Sequence, residues 1–202
     1  MRMFIKSTVL MGSVGILGMG ISLALNKLVA VFLGPPAIGI HGVLVRFFQI
    51  LIQVSSLSLP LSISKYISQY ASEDRLDKAR FAFRLSLVIV VLLSAIALVF
   101  SIVASNHIIV WLFGGNKGAD YLVLYLLLAG TVLFTNLSSL YNGAVQGLLE
   151  QKRLAISSAA TAILVLGATT GLIYKWGLRG YFAGLLLASI IGWIAAAWAL
   201  WG

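Results

Sequence analysis

The chain has 202 residues, of which 61% are hydrophobic and 9% charged. Soluble domains carry about 25% charged residues, and a soluble fold of this length has no way to hide so much apolar surface beneath so few polar groups. The composition is that of an integral membrane protein, which excludes most cytosolic enzyme classes, secreted disulfide scaffolds and nucleic-acid binders. The absence of cysteine excludes disulfides, thiolate metal sites and cysteine nucleophiles. Two histidines and five acidic residues leave little from which to build a metal cluster or a carboxylate-rich active site, so neither a metal nor a cofactor is expected. A net charge of +9 in such a chain points to loops held on the cytoplasmic side of a membrane.

A spanning helix needs about 20 mostly apolar residues. Six stretches qualify, over approximately residues 7–33, 38–62, 81–104, 121–149, 154–174 and 178–201. The first follows Arg2 and Lys6, as a signal peptide would. It is too long for one, lacks an A-x-A cleavage site and carries Asn26 and Lys27 near its end, so it reads as a retained helix. On it, Ser22 and Asn26 share a face, with Gly15 and Gly18 beneath them. Gly34-Pro35-Pro36 then breaks the chain, because proline cannot continue a helix and glycine permits the turn.

The second helix carries Arg46, Gln49, Gln53, Ser56 and Pro60 at steps of three and four residues, which places them on one face. Such a stripe fits a wet cavity; an interhelical hydrogen-bonded seam is the alternative. His41, near the outer end, reads as interfacial, and Pro60 as a kink. Between Lys65 and Arg84 lies the one sizeable polar connection, with a short interfacial helix before its turn. After the third helix, residues 106–120 read as a loop, with Trp111 and Phe113 at the level of an aromatic belt.

The fourth helix has a row of Thr131, Thr135, Ser138 or Ser139, Asn142 and Gln146, whose hydroxyls can equally bond their own backbone. Gly143 and Gly147 at its end, and Gly180, Gly184, Ala188, Gly192 and Ala196 on the sixth helix, are small-residue ridges that let another backbone come close. They are read as packing features.

With the N-terminus on the cytoplasmic side, that side holds nine of the fourteen Lys and Arg residues and the outer side holds Lys117, Lys175 and Arg179. Both termini are therefore expected to be cytoplasmic. The remaining two, Lys27 and Arg46, fall inside helices, at expected depths of ~9 Å and ~12 Å. A charge deep in a bilayer costs about 3 kcal/mol or more, so it faces a cavity or a partner, unless a long side chain snorkels to the headgroups. No carboxylate lies within the helices to pair with either cation. Two unpaired cations in adjacent helices point to an external anion such as a phosphate, for which arginine offers a planar fork and lysine a point charge.

Asn26–Val43, NKLVAVFLGPPAIGIHGV, resembles the first hairpin of the polysaccharide-transport flippases, the Wzx-type O-antigen translocases. The shared features are a basic residue late in helix one, the Leu33-Gly34-Pro35 turn, and Gly39-Ile40-His41-Gly42 opening helix two. Ile63–Tyr70 is similar to the inner amphipathic segment of that family, and Tyr141–Gly147 to the end of its fourth helix. The resemblance implies an all-α membrane fold in which residues 1–202 form one six-helix lobe of a two-lobe transporter like the multidrug and toxin extrusion proteins. The second lobe, as a C-terminal half or another half-size chain, is an expected partner, along with the lipid bilayer.

The implied function is flipping of undecaprenyl-diphosphate-linked oligosaccharide across a bacterial inner membrane for O-antigen or another surface polysaccharide, with no covalent chemistry. Lys27 and Arg46 would attract the pyrophosphate, and Asn26, Gln49, Gln53 and Asn142 would hydrogen-bond sugar or phosphate groups. A multidrug or cation exporter of the same superfamily is the alternative, although it needs a membrane carboxylate that these helices lack. An enzyme acting on polyprenyl phosphates is a third reading, for which Glu73, Asp74 and Asp77 are the one acidic cluster.

Overall fold

The computed structural model describes residues 2–114, 118–148 and 150–201; Lys117 and residue 149 lie outside them, as do the side chains of Arg2 and Lys6. The described residues form six helical elements and no strand: α1 (Arg2–Ser56), α2 (Leu59–Ser72), α3 (Leu76–Val103), α4 (Ser105–Phe113), α5 (Gly118–Gly147) and α6 (Gln151–Trp201).

At 55 residues, α1 would be ~80 Å long if straight, well over twice a hydrocarbon core of ~30 Å. It is broken at Gly34, whose φ of 77° and ψ of 176° suit a residue without a Cβ, and Pro35 has no amide to restart the ladder across the break. The arms 2–33 and 35–56 fold against each other: Ser22, Leu25 and Asn26 line the same cavity as His41, Val45 and Arg46.

The second long element, α6, is broken in the same way at Gly177 (φ 56°, ψ −131°). Its arms pack so closely that a Cβ on Gly180 would run into the Leu172 carbonyl, and one on Gly184 would lie 2.8 Å from the Thr169 side chain. Four stretches are long and apolar enough to cross a membrane: Gly34–Ser72, Leu76–Val103, Tyr121–Gly147 and Lys152–Leu200. Gly18–Phe32 is a shorter apolar helix. The chain is an all-α membrane protein.

Three boundaries differ from those expected of the sequence. The second arm of α1 ends at Ser56, not near residue 62, because Leu57 and Ser58 take left-handed backbone angles (φ 46° and 55°). Pro60 then sits in the first turn of α2, where its missing N–H costs no helical hydrogen bond. It starts a helix and does not kink one, and it leaves the face shared by Arg46, Gln49 and Gln53. Residues 105–113 are the helix α4 in place of a loop, anchored by buried Ser105 and Ile109. The third helix begins at Leu76, with Asp77 in its first turn favouring the positive end of the dipole.

The centre of the fold is α5, which packs against every other element. Leu124, Tyr125, Leu128 and Val132 meet Leu44 and Phe48 of α1 and Phe182 of α6 in one core. Leu140 and Ala144, further along, meet Ile63 and Ile67 of α2 and Val90 of α3 in a second. The Gly143 and Gly147 ridge admits α2: a Cβ on Gly143 would strike the Pro60 carbonyl, and one on Gly147 would lie 2.7 Å from that of Ser64. Between the two cores Asn136 is fully buried, and its Nδ2 donates to Ser55 Oγ (2.8 Å) and Ser94 Oγ (2.9 Å). One amide thus ties α1, α3 and α5 at a depth where few polar partners exist.

Candidate functional site

The two broken helices enclose a polar concavity. A cavity of about 460 Å³ is lined by Ser22 and Asn26 from the first arm of α1, His41, Arg46 and Gln49 from its second arm, and Tyr181 from α6. Ser22 and Asn26 are one turn apart, as are Arg46 and Gln49, so the Gly34 hairpin brings two polar faces opposite each other. Arg46 lies near the middle of its arm, ~16 Å from either end. Its Nη1 donates to Gln49 Oε1 at 3.1 Å, which aims the guanidinium and leaves its other donors free.

No carboxylate lines the cavity. Among the described residues the ion pairs are Arg75–Glu73 and Arg153–Glu150, so Arg46 carries an uncompensated positive charge. Ser22, Asn26, Arg46 and Gln49 are all exposed, and the cavity opens at the surface of the bundle. Its closed side is formed by the His41 ring, half-buried, and Tyr181, 4% exposed. The Tyr181 hydroxyl lies 2.9 Å from His41 Nε2, and the rings meet edge to face at 5.1 Å. This arrangement can bind an anion: a guanidinium supplies charge and a bidentate fork, and uncharged amides and hydroxyls supply directional hydrogen bonds.

The structure brings Asn26, Arg46 and Gln49 together, and leaves Lys27, Gln53 and Asn142 outside the lining. Lys27 follows Asn26 by one residue and is therefore turned about 100° around the helix, onto an exposed flank. Gln53 is exposed one turn beyond Gln49. Asn142 Nδ2 approaches Ser138 Oγ at 3.5 Å on its own helix, and Thr131 Oγ1 donates to the Leu128 carbonyl at 2.6 Å. The polar row of α5 thus includes side chains bonded within their own helix.

His41 belongs to the cavity wall, where the sequence suggested only an interfacial position. Tyr181 and Asn136 are not singled out by any sequence pattern. Each is visible as a polar group on an apolar helix, but the residues they meet come from other hairpins.

The family model for "Polysaccharide biosynthesis protein" matches residues 4–201. The chain belongs to this family. It is thereby placed in the exporter superfamily that includes the polysaccharide flippases, a transporter type and not an enzyme class. No curated protein and no solved structure matches the chain significantly. Among the described residues, no group of three or more His, Cys, Asp or Glu is placed to hold a metal ion.

Proposed function

We propose that this member of the polysaccharide biosynthesis family translocates an undecaprenyl-diphosphate-linked oligosaccharide across a bacterial inner membrane, in O-antigen or related surface-polysaccharide assembly. The observation that carries the reading is Arg46, a cation in the middle of an apolar helix, without an acidic partner, at the mouth of a cavity lined by amides and hydroxyls. A lipid-linked sugar diphosphate has the matching parts. Its diphosphate takes the guanidinium, its sugars take Asn26, Ser22 and Gln49, and its polyprenyl tail stays in the bilayer. The cost of holding Arg46 at this depth, about 3 kcal/mol or more, is offset when the substrate's charge arrives.

Lys27, Gln53 and Asn142 do not line this cavity, so their proposed part is peripheral: Lys27 and Gln53 flank it, and all three would meet the sugars only as the cavity widens. A second six-helix lobe, facing the exposed polar side, would complete the chamber and remove that side from lipid. Both termini are cytoplasmic in this account. A drug or cation exporter would require an anionic group to hold its cargo, and none lines the cavity.

The test uses purified protein in vesicles loaded with a fluorescent lipid-linked oligosaccharide. Wild type is expected to move the lipid between leaflets and Arg46→Ala to fail while still inserting. Equal transport by the two would remove Arg46 from the role of phosphate ligand.

A further inference from the structure

A second cavity, of about 660 Å³, shares no residue with the first. It lies where α2 meets the start of α3 and the ends of α5 and α6. Its wall is apolar and comes from four elements: Ile67 of α2, Phe83 and Leu87 of α3, Ala144 of α5 and Leu200 of α6. Arg80 and Arg84, one helical turn apart on α3 and both exposed, are its charged residues. No carboxylate lines it. Asp77 stands one turn before Arg80, yet the ion pairs among the described residues are Arg75–Glu73 and Arg153–Glu150, so both groove arginines are left with their charge uncompensated.

This end of the bundle carries more positive than negative charge. Lys65, Arg75, Lys78, Lys152 and Arg153 accompany Arg80 and Arg84, against Glu73, Asp74, Asp77 and Glu150. Long apolar walls with a cationic pair at the rim fit an amphiphile with a hydrocarbon tail and an anionic head. An extended peptide would bury its backbone amides against side chains that offer them few partners. A zwitterionic headgroup would bring its own ammonium to the two guanidinium groups. Basic pockets between membrane helices are the recurrent setting for acidic headgroups, and about 300–1,000 Å³ is the usual size of a small-molecule site.

We infer that this groove binds one anionic phospholipid, with an acyl chain against Phe83, Leu87 and Leu200 and the phosphate on Arg80 and Arg84. The site is independent of the cavity around Arg46 and of what that cavity transports.

The experiment is native mass spectrometry of the full chain released from micelles containing equal amounts of phosphatidylglycerol and phosphatidylcholine. Wild type and Arg46→Ala are expected to retain phosphatidylglycerol preferentially. The double variant Arg80→Gln with Arg84→Gln should lose at least fivefold of that retention, while Arg80→Lys with Arg84→Lys keeps most of it. Leu148→Trp, which narrows the groove at an exposed rim position and leaves the charges in place, should lower retention as well. Unchanged retention in the Gln double variant, or no preference for phosphatidylglycerol in wild type, overturns the assignment. Displacement of the lipid by farnesyl diphosphate in both wild type and Arg46→Ala would also overturn it, by giving the groove to a polyprenyl diphosphate.

Discussion

The His41 imidazole and the Tyr181 hydroxyl meet at 2.9 Å, and that bond joins the two hairpins on which the polar cavity is built. His41 follows the Gly34 break within two turns, and Tyr181 stands one turn past the Gly177 break. The bond therefore fixes the spacing of the two folded helices beside Arg46. Tyr181→Phe keeps the edge-to-face ring packing and removes only the hydroxyl. The expected loss of stability is about 1 kcal/mol, read as a lower thermal midpoint in detergent. Oligosaccharide transport should fall further than that stability loss explains, because the cavity wall loosens.

Arg46→Lys separates charge from geometry. Lysine retains a positive charge but has no planar fork to span two phosphate oxygens or to bond Gln49 while doing so. Transport by Arg46→Lys should lie between wild type and Arg46→Ala, and Gln49→Ala should resemble it by leaving the guanidinium unaimed. Rates for the three variants in one vesicle assay test the order.

The α6 hairpin depends on the absence of a side chain at Gly180. A Cβ there meets the Leu172 carbonyl, so Gly180→Leu must separate the arms and should cost about 2–3 kcal/mol. Gly171, on the same element, has open space where a Cβ would stand, with no atom within 4 Å, and Gly171→Leu should be tolerated. Comparing the yield of folded protein for the two variants isolates the close approach from the effect of adding leucine to the helix.

Asn136 gives a parallel test between helices. Its amide donates to Ser55 and Ser94, and Ser55 in turn donates to the Leu51 carbonyl at 2.7 Å. Asn136→Ala removes both cross-links, with an expected loss of about 1–2 kcal/mol. The double variants with Ser55→Ala and Ser94→Ala should lose less than the sum of their single losses.

The turn between α2 and α3 should respond to acid. The Glu73 carboxylate accepts from Gln69 Nε2 at 3.2 Å and from Arg75 Nη1 at 3.3 Å, and these donors hold its pKa below the ordinary value of 4.5. A depressed folded-state pKa contributes stability above the unfolded value, and that contribution is lost as pH falls through the folded one. Amide exchange at Asp74 and Arg75 should thus quicken below pH 4.5 relative to the intrinsic rate, and Glu73→Gln should flatten the response.

Much of this molecule is legible in its sequence because membrane helices are written in composition. The break at Gly34-Pro35-Pro36 and the small-residue ridges at Gly143 and Gly180 correspond to a hairpin and to close backbone contacts. The helicity of residues 105–113 is hidden, since nine residues are too few for the length criterion that marks a span. Pro60 misleads because proline inside an apolar run reads as a kink, whereas the helix break at Leu57–Ser58 has no glycine to announce it. Periodicity places Arg46 and Gln49 on one face but does not place Lys27, whose neighbour Asn26 lines the cavity in its stead. Tyr181 stays invisible as a wall of the site, because its meeting with His41 spans 140 residues of sequence.

The most direct test of the central claim is binding of farnesyl diphosphate, a short polyprenyl diphosphate, to the purified chain, followed by calorimetry. Wild type should show saturable binding that weakens at least tenfold in Arg46→Ala and is unchanged by replacing Arg80 and Arg84 with Gln. Equal affinity in wild type and Arg46→Ala would contradict the account, because the diphosphate would then not be held by the cation at the centre of the second arm of α1.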